Sequence, residues 1–207
     1  MKRLSCIFVI TFCLWGCGSS PNKSNVQVQK EPTFILKGLL DSLINESPNL
    51  MNNDITKQDF ANILTSNLRK YRTDTLPFLS ELPVAFEMSM QYPESDFENA
   101  GKYVVKFGFG SSKFTLSKDY QTTFQIFTVM DKENAATLID GEFYHVKGIF
   151  IDFANNSKET GFVFPNGKCI IDYPKISVSS LGNVPFINLG SLIIENATFT
   201  KYEVMSK

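Results

Sequence analysis

The spacing of apolar residues changes once along this chain, near Pro77, and that change limits the fold more than any other feature. Before Pro77, apolar residues recur at the 3.6-residue spacing of an amphipathic helix. After it, they alternate with polar residues at the two-residue spacing of a strand. A chain with helices first and strands second is typical of the α+β class, in which the helices pack on an antiparallel sheet.

Two helices are predicted in the first part of the chain. The first covers 32–45, where Pro32 suits a first helical turn. The second begins near Thr56, which precedes Asp59 by three residues as in a capping box, and its apolar stripe continues to Tyr71. We expect both apolar stripes to pack against the core of the domain.

The alternation in the second part of the chain predicts about seven antiparallel strands. In the first of them, Phe86 and Met88 are predicted to share the buried face. Asp140 and Gly141 form a predicted tight turn between two strands. The strands are expected at 84–91, 103–109, 122–130, 142–153, 161–164, 168–173 and 187–201.

A sheet with this many strands closes into a barrel or folds into two layers so that few edges stay open. Glycines interrupt the segments 141–149 and 189–197, and a glycine inside a strand marks sharp coiling. Both segments resemble the glycine-interrupted strands of the oligonucleotide/oligosaccharide-binding (OB) barrels of some bacterial lipoproteins. The resemblance implies an OB-like barrel, with two helices packed on it; a β-sandwich or a lipocalin-like sheet is the alternative.

The start of the chain has the layout of a cleavable export signal. Lys2 and Arg3 precede an apolar stretch, 4–14, that is shorter than the roughly 20 residues of a membrane-spanning helix. The stretch ends in Leu-Trp-Gly-Cys at 14–17, which resembles the lipobox of bacterial lipoproteins. In that family the chain is cleaved before the cysteine and lipid is attached to it. The resemblance therefore implies lipidation of Cys17; an uncleaved anchor or an ordinary secretory signal is the alternative.

The lipobox resemblance also implies the domain organisation and the location. Residues 1–16 are the expected signal peptide, 17–31 a lipidated polar tether, and 32–207 a single α+β domain. Several acyl chains on Cys17 attach the protein stably to a membrane. Gly18 lacks the acidic residue that retains many relatives in the inner membrane. We therefore expect the outer membrane, with the domain facing the periplasm.

Charge and cysteine content restrict the partners. Once Lys2 and Arg3 leave with the leader, 18 basic side chains remain against 21 acidic ones. This balance argues against a nucleic-acid partner, because affinity for a phosphate backbone comes from clustered Lys and Arg. Cys169 is the only cysteine beyond the anchor, so an internal disulfide is not expected, and we interpret Cys169 as a small buried residue.

The sequence contains no recognisable catalytic or metal-binding constellation, so no catalytic residue, metal ligand or cofactor is predicted. His145 is the single histidine, and one imidazole without a neighbouring ligand does not predict a zinc site. We interpret it as a structural residue. The acidic residues Glu94, Asp96 and Glu98 lack the spacing of a calcium loop.

Aromatic residues allow only a weak case for glycan binding. Trp15 is the only tryptophan and lies in the leader, so the mature chain lacks the side chain that stacks best on a sugar. Four tyrosines are the candidates for contact with a glycan: Tyr92, Tyr120, Tyr173 and Tyr202.

Two triplets resemble the O-glycosylation sequon of Bacteroidota, in which Asp precedes Ser or Thr and an aliphatic residue. They are centred on Ser42 and Thr75. The resemblance implies that Thr75, in the expected loop after the second helix, is the better candidate, and that the lipoprotein is of the Bacteroidota type.

Two functions fit these observations. The first is a membrane-anchored envelope lipoprotein that binds a protein or glycan partner without chemistry, and it is favoured because no catalytic motif accompanies the anchor. The second is an envelope hydrolase with dispersed carboxylates. A deep pocket with paired carboxylates would favour the enzyme, and a filled barrel with shallow grooves would favour binding.

Overall fold

The structure, a computed structural model, describes residues 34–92, 99–110, 114–154, 176–182 and 184–203. Within these ranges the chain forms three α-helices and a six-stranded sheet that curls into a ring. The α+β class predicted from the change of period is confirmed. The strands predicted at 161–164 and 168–173 lie outside the described residues.

The elements follow the order that the sequence predicts, helices before strands. The helices are α1 (Ile35–Glu46), α2 (Asp54–Arg69) and the short α3 (Lys132–Ala135), with a 3-10 turn at Pro77–Ser80. The strands are β1 (Val84–Gln91), β2 (Tyr103–Phe109), β3 (Gln121–Met130), β4 (Phe143–Phe153), β5 (Ser177–Leu181) and β6 (Val184–Lys201). None of the helices in the described part of the chain has the length and hydropathy to span a bilayer.

Helix α2 begins earlier than the sequence predicts. Its N-cap is Asn53, whose side chain accepts a hydrogen bond from the Thr56 backbone N–H at 3.0 Å. The Thr56 hydroxyl oxygen accepts in return from the Asn53 N–H at 3.4 Å. The capping box is therefore Asn53 with Thr56, and the predicted box of Thr56 with Asp59 is wrong. Asn53 is the N-cap because its backbone is extended, whereas Thr56 already lies inside the helix.

Five strands close the ring and β5 is attached to its side. Strands β1, β2 and β3 form an antiparallel meander, β1 also pairs with β4, and β4 pairs with β6. Strand β6 returns to β3 and pairs with it in parallel, which closes the ring. Strand β5 pairs with β6 as a hairpin. The sheet is antiparallel apart from the β3–β6 pair, which the alternation of residues did not predict.

A bulge at Glu87 changes which side of β1 faces the core. Phe86 pairs with Phe107 and Met88 pairs with Lys106, so three consecutive residues of β1 lie opposite two consecutive residues of β2. Successive residues of a strand face opposite sides, and Phe86 and Met88 therefore do so as well. The prediction that they share one face is wrong. Glu87 is the extra residue, and its carboxylate lies 2.7 Å from the Lys106 ammonium.

Both glycine-interrupted segments contain irregular pairing. Gly148 of β4 lies opposite Asn196 and Ala197 of β6, so two residues face one. A Cβ on Gly148 would lie 2.9 Å from the backbone oxygen of Glu195, which only glycine avoids. The second glycine, Gly190 of β6, has a φ of +76°. It lies where the pairing of β6 with β3 is irregular. The glycines thus mark close approach and bending of β6.

Aromatic and aliphatic side chains fill the interior of the ring. Phe107, Phe124 and Phe150 are fully buried, and Phe109 stacks on Phe124 with ring centroids 4.9 Å apart. The same buried cluster includes four leucines of the first two helices: Leu36, Leu40, Leu64 and Leu68. The described strands of the ring therefore surround a packed apolar core.

Candidate binding groove

A surface groove of about 530 Å³ opens where β3 and β6 separate. The parallel pairing of these strands ends at Phe127 and Ile193. Beyond that point β3 continues to Met130, while β6 pairs with β4. The space between them, the β3–β6 groove, has apolar side chains such as Val129 and Ile194 among its lining residues.

The polar residues of the β3–β6 groove come from three separate parts of the chain. The connection between β1 and β2, the start of α3 and the middle of β6 contribute two residues each. Together they supply three side-chain amides, two carboxylates and one ammonium. These residues are Asn99, Lys102, Asp131, Asn134, Glu195 and Asn196. A side-chain amide both donates and accepts hydrogen bonds, so this set suits a ligand with hydroxyl or amide groups.

The bulge in β6 presents two of these polar side chains. Ile193 and Ile194 are buried, whereas the next two residues, Glu195 and Asn196, are exposed. Asn196 has a φ of +51°, in the left-handed region that asparagine tolerates better than most residues. A bulge re-aims side chains relative to a regular strand. Gly148 makes this one possible because it leaves room for the β6 backbone.

The charge of the β3–β6 groove is mildly acidic. Asp131 and Glu195 are exposed and outnumber Lys102, the lysine of its lining. An acidic lining repels phosphate groups, in keeping with the charge balance of the whole chain. Among the described ranges, no group of three or more His, Cys, Asp or Glu side chains is placed to hold a metal ion.

His145 lies outside the groove lining. It sits on β4 opposite Thr200, and its ring contacts Tyr202 edge-on with centroids 5.1 Å apart. Its Nδ1 atom is buried, and no partner for that atom is found within the described chain. The structural role assigned to His145 stays a prediction.

Two of the four candidate tyrosines are buried. Tyr92 lines the β3–β6 groove but is only 3% exposed. Tyr120 donates its hydroxyl hydrogen to Asp41, so that hydroxyl is engaged inside the protein. Burial and this bond to a carboxylate raise the pKa of Tyr120 above its ordinary range. Tyr202 is half-buried against His145, and Tyr173 lies outside the described residues.

The predicted modification sites fall in different parts of the chain. Cys17 lies outside the described residues, as do Cys169 and the acidic residues around Asp96. Thr75 is exposed in the loop after α2, where its backbone forms a bridge to Ile149 of β4. Lipidation of Cys17 and glycosylation of Thr75 stay predictions.

The sequence did not point to the groove. Residues such as Asn99 and Asp131 are unremarkable where they stand, and only the ring brings them together. The pair Glu195 and Asn196 did carry a cue, because two adjacent polar residues end an apolar run inside a strand. Such a break in alternation indicates a bulge.

Comparison with protein-family models, curated protein sequences and solved structures finds no match for this chain. The fold and the groove define a class: an α+β protein with a packed, ring-shaped sheet and a polar groove on its surface. The features that bear on function are the β3–β6 groove and the lipobox-like sequence at 14–17.

Proposed function

We propose that this protein is a lipid-anchored envelope lipoprotein that binds a ligand in the β3–β6 groove without transforming it. The observation that supports this proposal is the groove, where hydrogen-bonding side chains surround an open surface site beside a packed apolar core. The lipobox-like sequence at 14–17 supports attachment through Cys17 and an outer-membrane location facing the periplasm.

We also propose that the ring is an OB-like barrel. OB folds are five-stranded Greek-key barrels that bind ligands on strands 2 and 3 and on the loops beside them. Five strands close this ring, and the connection between β1 and β2 contributes Asn99 and Lys102 to the groove. Both features support the OB-like assignment. Continuous pairing around the ring argues against a β-sandwich, whose two sheets are separate layers.

The ligand class follows from the groove chemistry. Three asparagine amides suit the hydroxyl groups of a glycan or the backbone of an extended peptide. The excess of carboxylates disfavours nucleic acid. We therefore propose an envelope glycan as the ligand, with an envelope protein as the alternative partner.

One observation favours the alternative function, a hydrolase. Asp131 and Glu195 line the same groove, as a pair of catalytic carboxylates would. Both side chains are exposed, however, and a carboxylic acid that donates a proton near neutral pH is normally held in an apolar environment. Binding without catalysis is therefore the better-supported function.

The anchor is tested by Cys17→Ser in cells, with Cys13→Ser as the matched control inside the leader. We expect the Cys17 variant to leave the membrane fraction and the Cys13 variant to stay in it. Mass spectrometry of the wild-type protein should show lipid on a chain that begins at Cys17. An intact leader joined to an unmodified Cys17 thiol would refute the anchor.

The groove is tested with the full chain and soluble peptidoglycan fragments as the probe. Asn196→Gly keeps the left-handed backbone and removes only the amide, while Asn62→Ala removes an exposed amide of α2 outside the groove. By calorimetry we expect Asn196→Gly to weaken binding about tenfold, which corresponds to about 1.4 kcal/mol, and Asn62→Ala to leave it unchanged. Equal affinities would refute the groove, and cleaved fragments would support the hydrolase instead.

A further inference from the structure

We propose that the ligand of the β3–β6 groove includes an extended peptide with a free ammonium group, and that this peptide lies between β3 and β6 as an added strand. The inference rests on the proposed binding function and deepens it, because it names the part of an envelope glycan that the groove holds. The ligand class is therefore a glycan that bears a peptide. Peptidoglycan belongs to this class, because short peptides are attached to its sugar chains.

The two strands beside the groove stop pairing with each other while each keeps its other neighbour. The last pair between β3 and β6 is Phe127 with Ile193. Strand β3 continues for three residues and pairs with β2 as far as Met130. Strand β6 continues along β4, where Ile194 pairs with Phe150. Within the described ranges, no backbone pairing covers the edges that β3 and β6 turn toward each other beyond this point.

These open edges direct backbone hydrogen-bonding groups into the groove. In an antiparallel pair, only every second residue bonds the neighbouring strand, and the residues between direct their N–H and C=O groups to the other side. At least one of residues 128–130 of β3 therefore presents these groups toward β6, and one of residues 194 and 195 presents them toward β3. An extended peptide complements such an edge with its own backbone, as in recognition by strand addition.

The lining of the groove follows the edges of the strands rather than their faces. Side chains on one face of a strand come from every second residue. The groove is instead lined by five consecutive residues of β6, at 193–197, and by three consecutive residues at the end of β3, at 129–131. A groove with this lining runs along the two backbones, which is the position that an added strand would occupy.

The charges of the groove complement an ammonium group. Asp131 follows the last residue of β3, and Glu195 belongs to β6, so one carboxylate stands on each side of the groove. Both side chains are exposed, and neither forms an ion pair with a described residue. An amino group on a peptide between the two strands would be attracted by these carboxylates, and salt would weaken that attraction.

Three probes test the inference by calorimetry with the full chain: a peptidoglycan disaccharide with its peptide and free amino group, the same fragment with the amino group acetylated, and the disaccharide without a peptide. We expect the first probe to bind at least about tenfold more tightly than the disaccharide alone. Acetylation should weaken binding by about threefold or more.

Two variants assign the effect of acetylation to the groove. In the double variant Asp131→Asn with Glu195→Gln, which keeps the shape of both side chains, the free and acetylated fragments should bind equally. Asp59→Asn changes an exposed carboxylate of α2 outside the groove lining, and it should leave the difference unchanged. Circular dichroism verifies the fold of both variants.

Amide hydrogen exchange tests the added strand directly. Binding of the peptide-bearing fragment should slow exchange at 128–130 and at 194–195, and leave the edge strand β5 unchanged. Tight binding of the disaccharide alone, equal affinity for the acetylated fragment, or unaltered exchange at both edges would overturn the inference and leave the binding function standing. Failure of all three probes to bind would refute the proposed binding function and the inference with it.

Discussion

Tyr120 donates its hydroxyl hydrogen to Asp41 at 2.9 Å and so joins the start of β3 to α1 across 79 positions of the chain. The tyrosine is 2% exposed. Lys37 pairs with the same aspartate on α1. One carboxylate therefore connects a helix to the ring, and the bond depends on the tyrosine keeping its proton.

Stability should fall above about pH 10, where the tyrosines of the unfolded chain lose their protons. Burial, followed by the bond to Asp41, raises the pKa of Tyr120 in the folded protein. A raised folded pKa gives a contribution that is complete below the unfolded value and is lost as the pH rises above it. Urea unfolding at neutral pH and at about pH 11 should show this loss, and Tyr120→Phe should show a smaller one.

At neutral pH, Tyr120→Phe should lower the free energy of unfolding by about 1–3 kcal/mol, because it removes the hydrogen bond from a buried hydroxyl to the partly exposed Asp41 carboxylate. The matched control is Tyr103→Phe, whose hydroxyl donates to the Gln91 side chain at 3.3 Å on the surface. Its effect should stay within about 0.5 kcal/mol. Equal losses in the two variants would contradict the special role of Tyr120.

Gly148→Ala should destabilise the domain by about 1–3 kcal/mol, because the new methyl group would lie 2.9 Å from the backbone oxygen of Glu195. Thermal unfolding measures the change. Gly38→Ala is the control: no atom lies within 4 Å of the added carbon on α1, and alanine favours a helix by about 1 kcal/mol. Opposite signs are expected, and a neutral Gly148 variant would contradict the tight bulge.

Asn53→Ala should cost about 1 kcal/mol, because α2 loses its N-cap. Asp59→Ala removes an exposed carboxylate inside the same helix and should change the free energy of unfolding by less than about 0.5 kcal/mol. The pair of variants distinguishes the observed cap from the cap that the sequence predicted. A larger loss for the Asp59 variant would place the start of the helix at Thr56.

Asp152→Ala should cost about 1–2 kcal/mol, because this largely buried carboxylate contacts Arg69 at 3.0 Å and accepts the Phe153 N–H at 2.8 Å. The exposed pair of Glu142 and Lys201, 3.4 Å apart, is the comparison. Glu142→Ala should change stability by less than about 0.5 kcal/mol, since water screens such pairs. Chemical denaturation of both variants in low and high salt measures the two losses in the free energy of unfolding.

Local pattern predicted most elements of this fold, since periodicity reports which side of a segment is buried. It failed at Glu87, because a bulge inserts one residue and reverses the faces of Met88 and its successors without altering the alternation of residue types. It also missed the edge strand β5, in which serines at 177, 179 and 180 give no apolar face to recognise.

The sequence did not allow us to predict the parallel pairing of β3 with β6 or the groove beside it. Both depend on contacts between residues more than sixty positions apart, such as Phe127 and Ile193. Asn99, Asn134 and Asn196 are ordinary loop, helix and bulge residues when each is considered by itself. Only the path of the backbone makes them neighbours.

Strand β6 supplies a pairing edge to β3, β4 and β5 alike. Until Val184–Lys201 has been synthesised, β3 and β4 each lack their shared neighbour and the core stays unsealed. Contacts between such distant segments form slowly, because long loops must close first. The ring of described strands therefore cannot close during synthesis until β6 has been made, so folding follows synthesis of this strand rather than accompanying it.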